Sequence, residues 1–226
     1  MPITEPNHPL YRIQDLTRQY PLNDLPTFSW LNVIIKPWSF TFLLGESGVG
    51  KTTLTKCLIR QLQPPVWTVY FKGDDIARFS VSEVQAYRRS IGVIFQDWKL
   101  LNHKTVRENI AFPLALDGVD SEEIQSRVKE TAQHLSIDHL LSKYPHALSG
   151  GEQQRVAIAR ASIRKNQVLI ADEPTWNIDQ EASQKVAQQC ITLNTEWTAI
   201  VFITHDQSLI DYINQQIQTE TIRLHR

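Results

Sequence analysis

Several things are scarce in this 226-residue chain, and each scarcity removes a class of protein. There are only two cysteines, Cys57 and Cys190, far apart and without paired spacing. That excludes a disulfide-stapled scaffold and a cysteine-ligated metal module, and leaves two small core residues in a reduced, cytosolic chain. Neither charge is in surplus: 23 Lys and Arg stand against 24 Asp and Glu, a net −1. No global field therefore draws the chain to nucleic acid or to an acidic membrane. No apolar run approaches the ~18–20 residues that span a bilayer. The first ten residues are polar with three prolines and lack the basic start and apolar stretch of a signal peptide. Any membrane link is expected to come through a partner. Repeats and low-complexity segments are missing too. The length suits one large domain, with at most a sub-domain, and can bury a sizeable core.

What is present centres on Phe40-Thr41-Phe42-Leu43-Leu44 followed by Gly45-Glu46-Ser47-Gly48-Val49-Gly50-Lys51-Thr52-Thr53. The first five residues read as a buried strand, and the rest as a glycine turn opening a helix. Residues 45–52 fit G-x-x-x-x-G-K-[ST], the phosphate-loop pattern. Glycine lets backbone N–H groups approach phosphate oxygens closely, and a helix N-terminus adds positive potential. Lys51 suits the β- and γ-phosphates, Thr52 a Mg²⁺ ion and Thr53 the α-phosphate. A bare strand–turn–helix corner is the bland reading, and the fixed lysine and threonine argue against it.

Alternating and apolar stretches give the remaining elements. Strands are expected over 11–16, 27–35, 66–71, 90–95, 168–172, 199–204 and 217–224. Helices are expected over 52–61, ended by Pro64-Pro65, and over 81–88, 148–164, 180–194 and 206–213. Residues 97–142 change texture, with a short helix over 106–110 and a clear one over 121–135, capped by Ser121. They read as a mainly helical insert (97–142) in a core formed by 1–96 and 143–226. Strands alternating with helices predict a mostly parallel sheet covered on both faces.

In such sheets ligands bind beyond the carboxyl ends of the strands. Three strand ends carry Gln96, Asp172-Glu173 and His205. Asp172 follows four apolar residues, and a buried carboxylate there calls for a cation. Mg²⁺ shared with Thr52 and the phosphates is the natural partner, with Gln96 as a further ligand or water-orienting amide. Glu173 is then the candidate to polarise the attacking water, with His205 holding the γ-phosphate, the water or Glu173 itself. Ser149-Gly150-Gly151 at a helix start forms a second anion site. One nucleotide per chain needs only one such site, so the second is expected to serve another copy in a head-to-tail dimer. A plain helix cap also explains Ser149. Tyr20, on the turn before the loop, reads equally as an adenine-stacking ring and as hairpin packing.

With those residues in place the chain resembles the ATP-binding subunits of ABC transporters over nearly its whole length. The resemblance makes Gly45–Thr52 the Walker A loop and Gln96 the Q-loop. Leu148–Gln153 matches the LSGGQ-like signature, with Ser149, Gly150 and Gly151 on nucleotide. Val168–Asp172 plus Glu173 match Walker B and its base, Asn177-Ile178-Asp179 the D-loop, and His205 the switch histidine; Tyr20 falls at the adenine-stacking position. It implies a P-loop α/β core of ABC type with an antiparallel β subdomain and a helical insert. It also implies ATP and Mg²⁺ as ligands, ATP hydrolysis, an ATP-dependent homodimer and a permease-like membrane partner on the cytoplasmic face of a bacterial inner membrane. Residues 89–101 and 105–110 are most similar to the cell-division members of the family. Lipoprotein-releasing and macrolide-export members are alternatives, as is an ATP-gated scaffold with little hydrolysis. A DNA-handling ATPase is disfavoured, because no heptad run or cysteine cluster separates Lys51 from Asp172. Three positions depart from the family: Trp38, Arg60 and Trp176 stand where glycine is usual.

Overall fold

The computed structural model describes residues 8–18, 27–176, 178–196 and 198–225, with only the backbone of Phe28. Tyr20 and Asn177, both singled out from the sequence, lie outside the described residues. Two sheets form. An antiparallel sheet runs β2-β1-β4-β5, built from β1 (Tyr11–Arg18), β2 (Phe28–Ile35), β4 (Val69–Phe71) and β5 (Asp74–Asp75). A parallel sheet runs β6-β7-β8-β3-β9, from β3 (Phe40–Leu44), β6 (Ile91–Ile94), β7 (Val168–Asp172), β8 (Ala199–Ile203) and β9 (Glu220–Arg223).

The helices are α1 (Lys51–Leu58), α2 (Val81–Arg89), α3 (Val106–Leu116), α4 (Ser121–His134), α5 (Gly150–Ser162), α6 (Gln180–Thr195) and α7 (Gln207–Asn214). Strand side chains alternate between two apolar clusters, as a sheet buried on both faces requires. Phe40, Phe42, Leu169, Ala171, Ile200 and Phe202 join one cluster with α3 to α7. Leu43, Val168, Ile170, Val201 and Ile203 join the other, with Leu54 and Leu58 of α1 and with Tyr11, Ile13 and Val33 of the antiparallel sheet.

Register places the chemistry. Leu43 and Asp172 both pair with Ile203, and Ala171 pairs with Ile94. The carboxyl ends of four strands are therefore level. The glycine loop, Glu173, His205 and Gln96 leave the sheet along one edge.

The elements differ from the sequence expectations where tertiary contacts or backbone angles intervene. Helix α1 stops at Leu58, before the expected 61, because Arg60 turns left-handed at φ 55. That conformation costs a non-glycine residue about 1–2 kcal/mol. It is offset by the guanidinium, whose Nε donates to the Ile76 carbonyl at 2.7 Å. Trp38 is likewise left-handed at φ 59, so both residues keep the backbone shape that glycine would supply. Strand β4 begins at Val69 rather than 66, since Trp67 takes φ 65 and gives its N–H to Asp75 Oδ2 at 2.7 Å.

Helix α3 continues past the expected residue 110 and through Pro113. Thr105 and Glu108 cap it reciprocally, and the Pro113 carbonyl accepts from Arg164 Nη2 at 2.6 Å. Packing outweighs the missing proline N–H. The cap of α4 is Asp120, not Ser121: Asp120 Oδ1 accepts the Glu122 N–H at 2.8 Å. The last strand is only four residues long, Glu220–Arg223.

Candidate functional site

The loop from Gly45 to Gly50 is shaped by two left-handed glycines, Gly48 at φ 79 and Gly50 at φ 107. Gly50 is the N-cap of α1 and offers no side chain of its own to the helix N–H groups. That end is left free for an anion. Val49 anchors the loop from beneath: its side chain is buried in the core and its N–H turns to the Glu46 carbonyl at 3.3 Å. Lys51 folds its ammonium over the loop, donating to the carbonyls of Gly45 at 2.7 Å and Glu46 at 3.1 Å.

A cavity of about 760 Å³ exists elsewhere, between α4, α5 and α6, but the chemistry gathers in another of about 680 Å³. Gly45, Glu46, Ser47, Gly48, Gly50, Lys51, Thr52 and Thr53 line one wall of it. Gln96, Asp172, Glu173 and His205 line the other, with Trp176 beside them. Every phosphate-loop residue singled out from the sequence except Val49 faces this space.

Asp172 is buried at the tip of β7. Burial first, then the neighbouring Glu173 carboxylate, raises its carboxyl above the ordinary aspartate range; a hydrogen bond from Thr52 and the charge of Lys51 oppose the shift. Glu173 is left-handed at φ 48, and its N–H extends the ladder to the Ile203 carbonyl at 3.0 Å. His205 Nδ1 lies 3.1 Å and 3.0 Å from its two carboxylate oxygens.

This donor set fits a hydrated divalent cation bridging to phosphates. One carboxylate, one hydroxyl and one amide oxygen are what Mg²⁺ accepts when phosphates and water supply the rest. Among the described residues no cluster of three or more His, Cys, Asp or Glu offers a self-sufficient metal site.

The raised Asp172 carboxyl carries a pH prediction. The folded chain holds this proton to a higher pH than the unfolded one. Stability therefore falls as pH rises from the ordinary aspartate value through the raised one. Asp172→Asn, which removes the buried charge, is expected to raise the nucleotide-free melting midpoint at neutral pH and to flatten its pH dependence. It should also abolish hydrolysis. A melting scan of both proteins across pH checks it.

Ser149, Gly150, Gly151 and Asp179 do not reach this cavity. They line a separate one of about 370 Å³ with Arg155, Ile178 and Lys185. Ser149 caps α5 in a reciprocal pair: its hydroxyl accepts the Glu152 N–H at 3.4 Å, while its own N–H and hydroxyl donate to Glu152 Oε2 at 2.7 and 2.8 Å. Those bonds hold the Glu152 carboxyl below the usual range. Asp179 caps α6 through the Ala182 N–H at 2.8 Å.

Two further residues carry the architecture and were not anticipated. Arg160 of α5 donates to the carbonyls of Lys99 and Trp98, each at 2.7 Å, and so ties the segment after Gln96 to the helix that begins at Ser149. The one sequence signal was an arginine among Val156, Ala157, Ile158 and Ala159, where a cation needs partners. Asn109 is fully buried, accepts from the Leu101 N–H at 2.8 Å and donates to the carbonyls of Leu101, Lys104 and Thr105.

A glycine cradle between a parallel strand and a helix, with acid at a neighbouring strand tip, defines a P-loop nucleotide-binding domain. Its relatives narrow the class. The ABC transporter family model matches residues 28–176. The chain is 35% identical over 208 residues to the cell division ATP-binding protein FtsE of Bacillus subtilis, covering 92% of this chain and 91% of that one. It is 40% identical over 176 residues to FtsE of Escherichia coli K12, covering 78% and 79%. Among solved structures, a dimeric post-hydrolysis state of an ATP-binding cassette bound to ADP and Pi superposes at TM-score 0.84 with 28% identity, over 95% of this chain and 94% of that one. CbiO1 of Clostridium perfringens superposes at 0.80 with 29% identity, over 90% and 82%. The chain belongs to the ABC transporter family: it is an ATP-binding ATPase similar to FtsE. No helix among the described residues is long and apolar enough to cross a membrane.

Proposed function

We propose that this chain is an FtsE-like ATPase subunit that closes into a head-to-tail dimer on ATP and works on a membrane protein of the FtsX type. The observation that carries the reading is the separation of two phosphate-seeking surfaces. The cavity with Lys51, Thr52, Asp172 and Glu173 and the cavity with Ser149, Gly150 and Gly151 have no lining residue in common. A second copy would bring its Ser149–Gly151 helix end to the γ-phosphate held by the first. Ser149 must then release Glu152, exchanging one anion for another.

In this reading Lys51 and the loop N–H groups hold the β- and γ-phosphates. Thr52, Asp172 and Gln96 would hold Mg²⁺, which when bound neutralises charge on the β- and γ-oxygens. Glu173 takes a proton from the attacking water, and His205 orients Glu173 or the γ-phosphate. Tyr20 stacks on adenine, Thr53 serves the α-phosphate, and Asp179 sits at the dimer seam. Residues 97–142 act as a helical sub-domain that moves with the signature helix. The resemblance to FtsE points to the cytoplasmic face of a bacterial inner membrane, bacterial cell division and control of peptidoglycan hydrolases. Lipoprotein-releasing or macrolide-type export is the alternative, and net charge gives nucleic acid no role.

The expected docking surface is a groove of about 330 Å³ between the segment after Gln96 and α3, with Phe95, Leu101, Phe112 and Leu116 on its walls. Leu116 is 60% exposed at the rim of this groove, where a docking partner could reach it. Arg160 supports a coupling route, since it spans from α5 to the near edge of this groove. Leu116→Asp should leave the melting midpoint within about 2 °C of the parent, a surface change. It should remove co-purification with an FtsX-type protein from detergent extracts. Undiminished co-purification would overturn the docking surface.

A further inference from the structure

Trp176 stands where glycine is usual in the family, and the structure gives it a specific place. Glu173-Pro174-Thr175-Trp176 closes as a turn, with the Trp176 N–H donating to the Glu173 carbonyl at 3.1 Å. Proline at the second position suits such a turn. The turn carries the indole back to the wall of the nucleotide cavity, beside Glu173 and His205. Its ring centre lies 5.9 Å from that of His205 with planes at 56°, a tilted aromatic contact. Trp176 is nevertheless 52% exposed, so the fold's interior does not account for a ring of this size here.

The His205 ring faces two demands. Its Nδ1 sits within hydrogen-bond reach of both Glu173 oxygens. A carboxylate only accepts, so Nδ1 carries the proton and donates. With Nδ1 so engaged the ring holds Glu173, and its presentation to the γ-phosphate is fixed by that same bond. Glu173, with 14% of its side chain exposed, is engaged rather than free to take a proton from water.

We propose that Trp176 is a positioning residue that acts as a brake: its indole holds the His205 ring on Glu173, and turnover requires that contact to open. The inference rests on the catalytic reading of Glu173 and His205 given above. An aromatic contact of this kind corresponds to a rate effect of roughly three- to tenfold. Trp176→Gly is therefore expected to raise ATP turnover by about that factor at saturating ATP, and Trp176→Phe, which retains a ring, by less.

A readout independent of turnover is the NMR signal of the His205 ring protons, assigned by its loss in His205→Gln. In the nucleotide-free protein it should be displaced by the ring current of the indole. The displacement should vanish in Trp176→Gly, and should relax in the parent when Mg²⁺ and a slowly cleaved ATP analogue are added. Identical His205 signals in the parent and Trp176→Gly would overturn the contact. A shifted signal with unchanged turnover would overturn the brake while leaving the catalytic reading intact. If both proteins bind ATP and neither hydrolyses it, that underlying reading fails, and the brake with it.

Discussion

Glu173→Gln is expected to bind ATP as the parent does and to lower its hydrolysis by about 10²–10⁴-fold, the usual contribution of a positioned base. The side chains are nearly isosteric, and Glu173 sits on a left-handed residue whose N–H is fixed to the Ile203 carbonyl. The backbone that presents the group should therefore not move. The amide can still hydrogen-bond His205 but cannot take a proton. Lys51 and the loop N–H groups, to which the proposed reading assigns phosphate binding, are untouched. Phosphate release measured beside equilibrium binding of a fluorescent ATP analogue separates the two properties. Turnover within about threefold of the parent, where a base deletion costs 10² or more, would remove Glu173 from the chemistry.

Gly151→Asp is the second large effect. A Cβ at Gly151 would meet Ala182 Cβ at 3.7 Å and Arg155 Nη1 at 3.8 Å, both ordinary contacts. The single subunit therefore has room for a side chain there and should fold and bind ATP normally. In a closed dimer the new carboxylate would face the partner's γ-phosphate. Like charges forced together across an interface cost several kcal/mol, so turnover should fall on the order of 10²-fold or more. The discriminating result is the pairing of intact binding with lost hydrolysis. A misfolded subunit would lose both.

How much of this was legible beforehand differs by kind of residue. That the phosphate-loop residues other than Val49 would meet Asp172 and Glu173 around one cavity was readable, because the pattern fixes residue type and spacing next to strands that are apolar throughout. The level ends of β3, β7 and β8 followed from those apolar runs, and register then places Glu173 and His205 together. Left-handed positions were not readable from local preference. Arg60 and Trp38 hold angles that glycine favours, and Arg60 is retained there by a side-chain bond to a segment 16 residues away. The passage of α3 through Pro113 was invisible for the same reason: the Arg164 contact that sustains it is 51 residues distant. The grip of Arg160 on Trp98 and Lys99, and of Asn109 on Leu101, depends on tertiary placement that spacing does not encode. The place of Trp176 against His205 depends on a turn whose shape the residues only suggest.

The two-copy clasp on ATP is tested most directly by light scattering of Glu173→Gln, with and without ATP and Mg²⁺. The mass should double when nucleotide is added, and should stay that of a single subunit when Gly151→Asp is combined with it. A Glu173→Gln protein that remains monomeric while saturated with ATP would contradict the clasp. A doubling that Gly151→Asp leaves untouched would show that the dimer closes without the glycine end of α5.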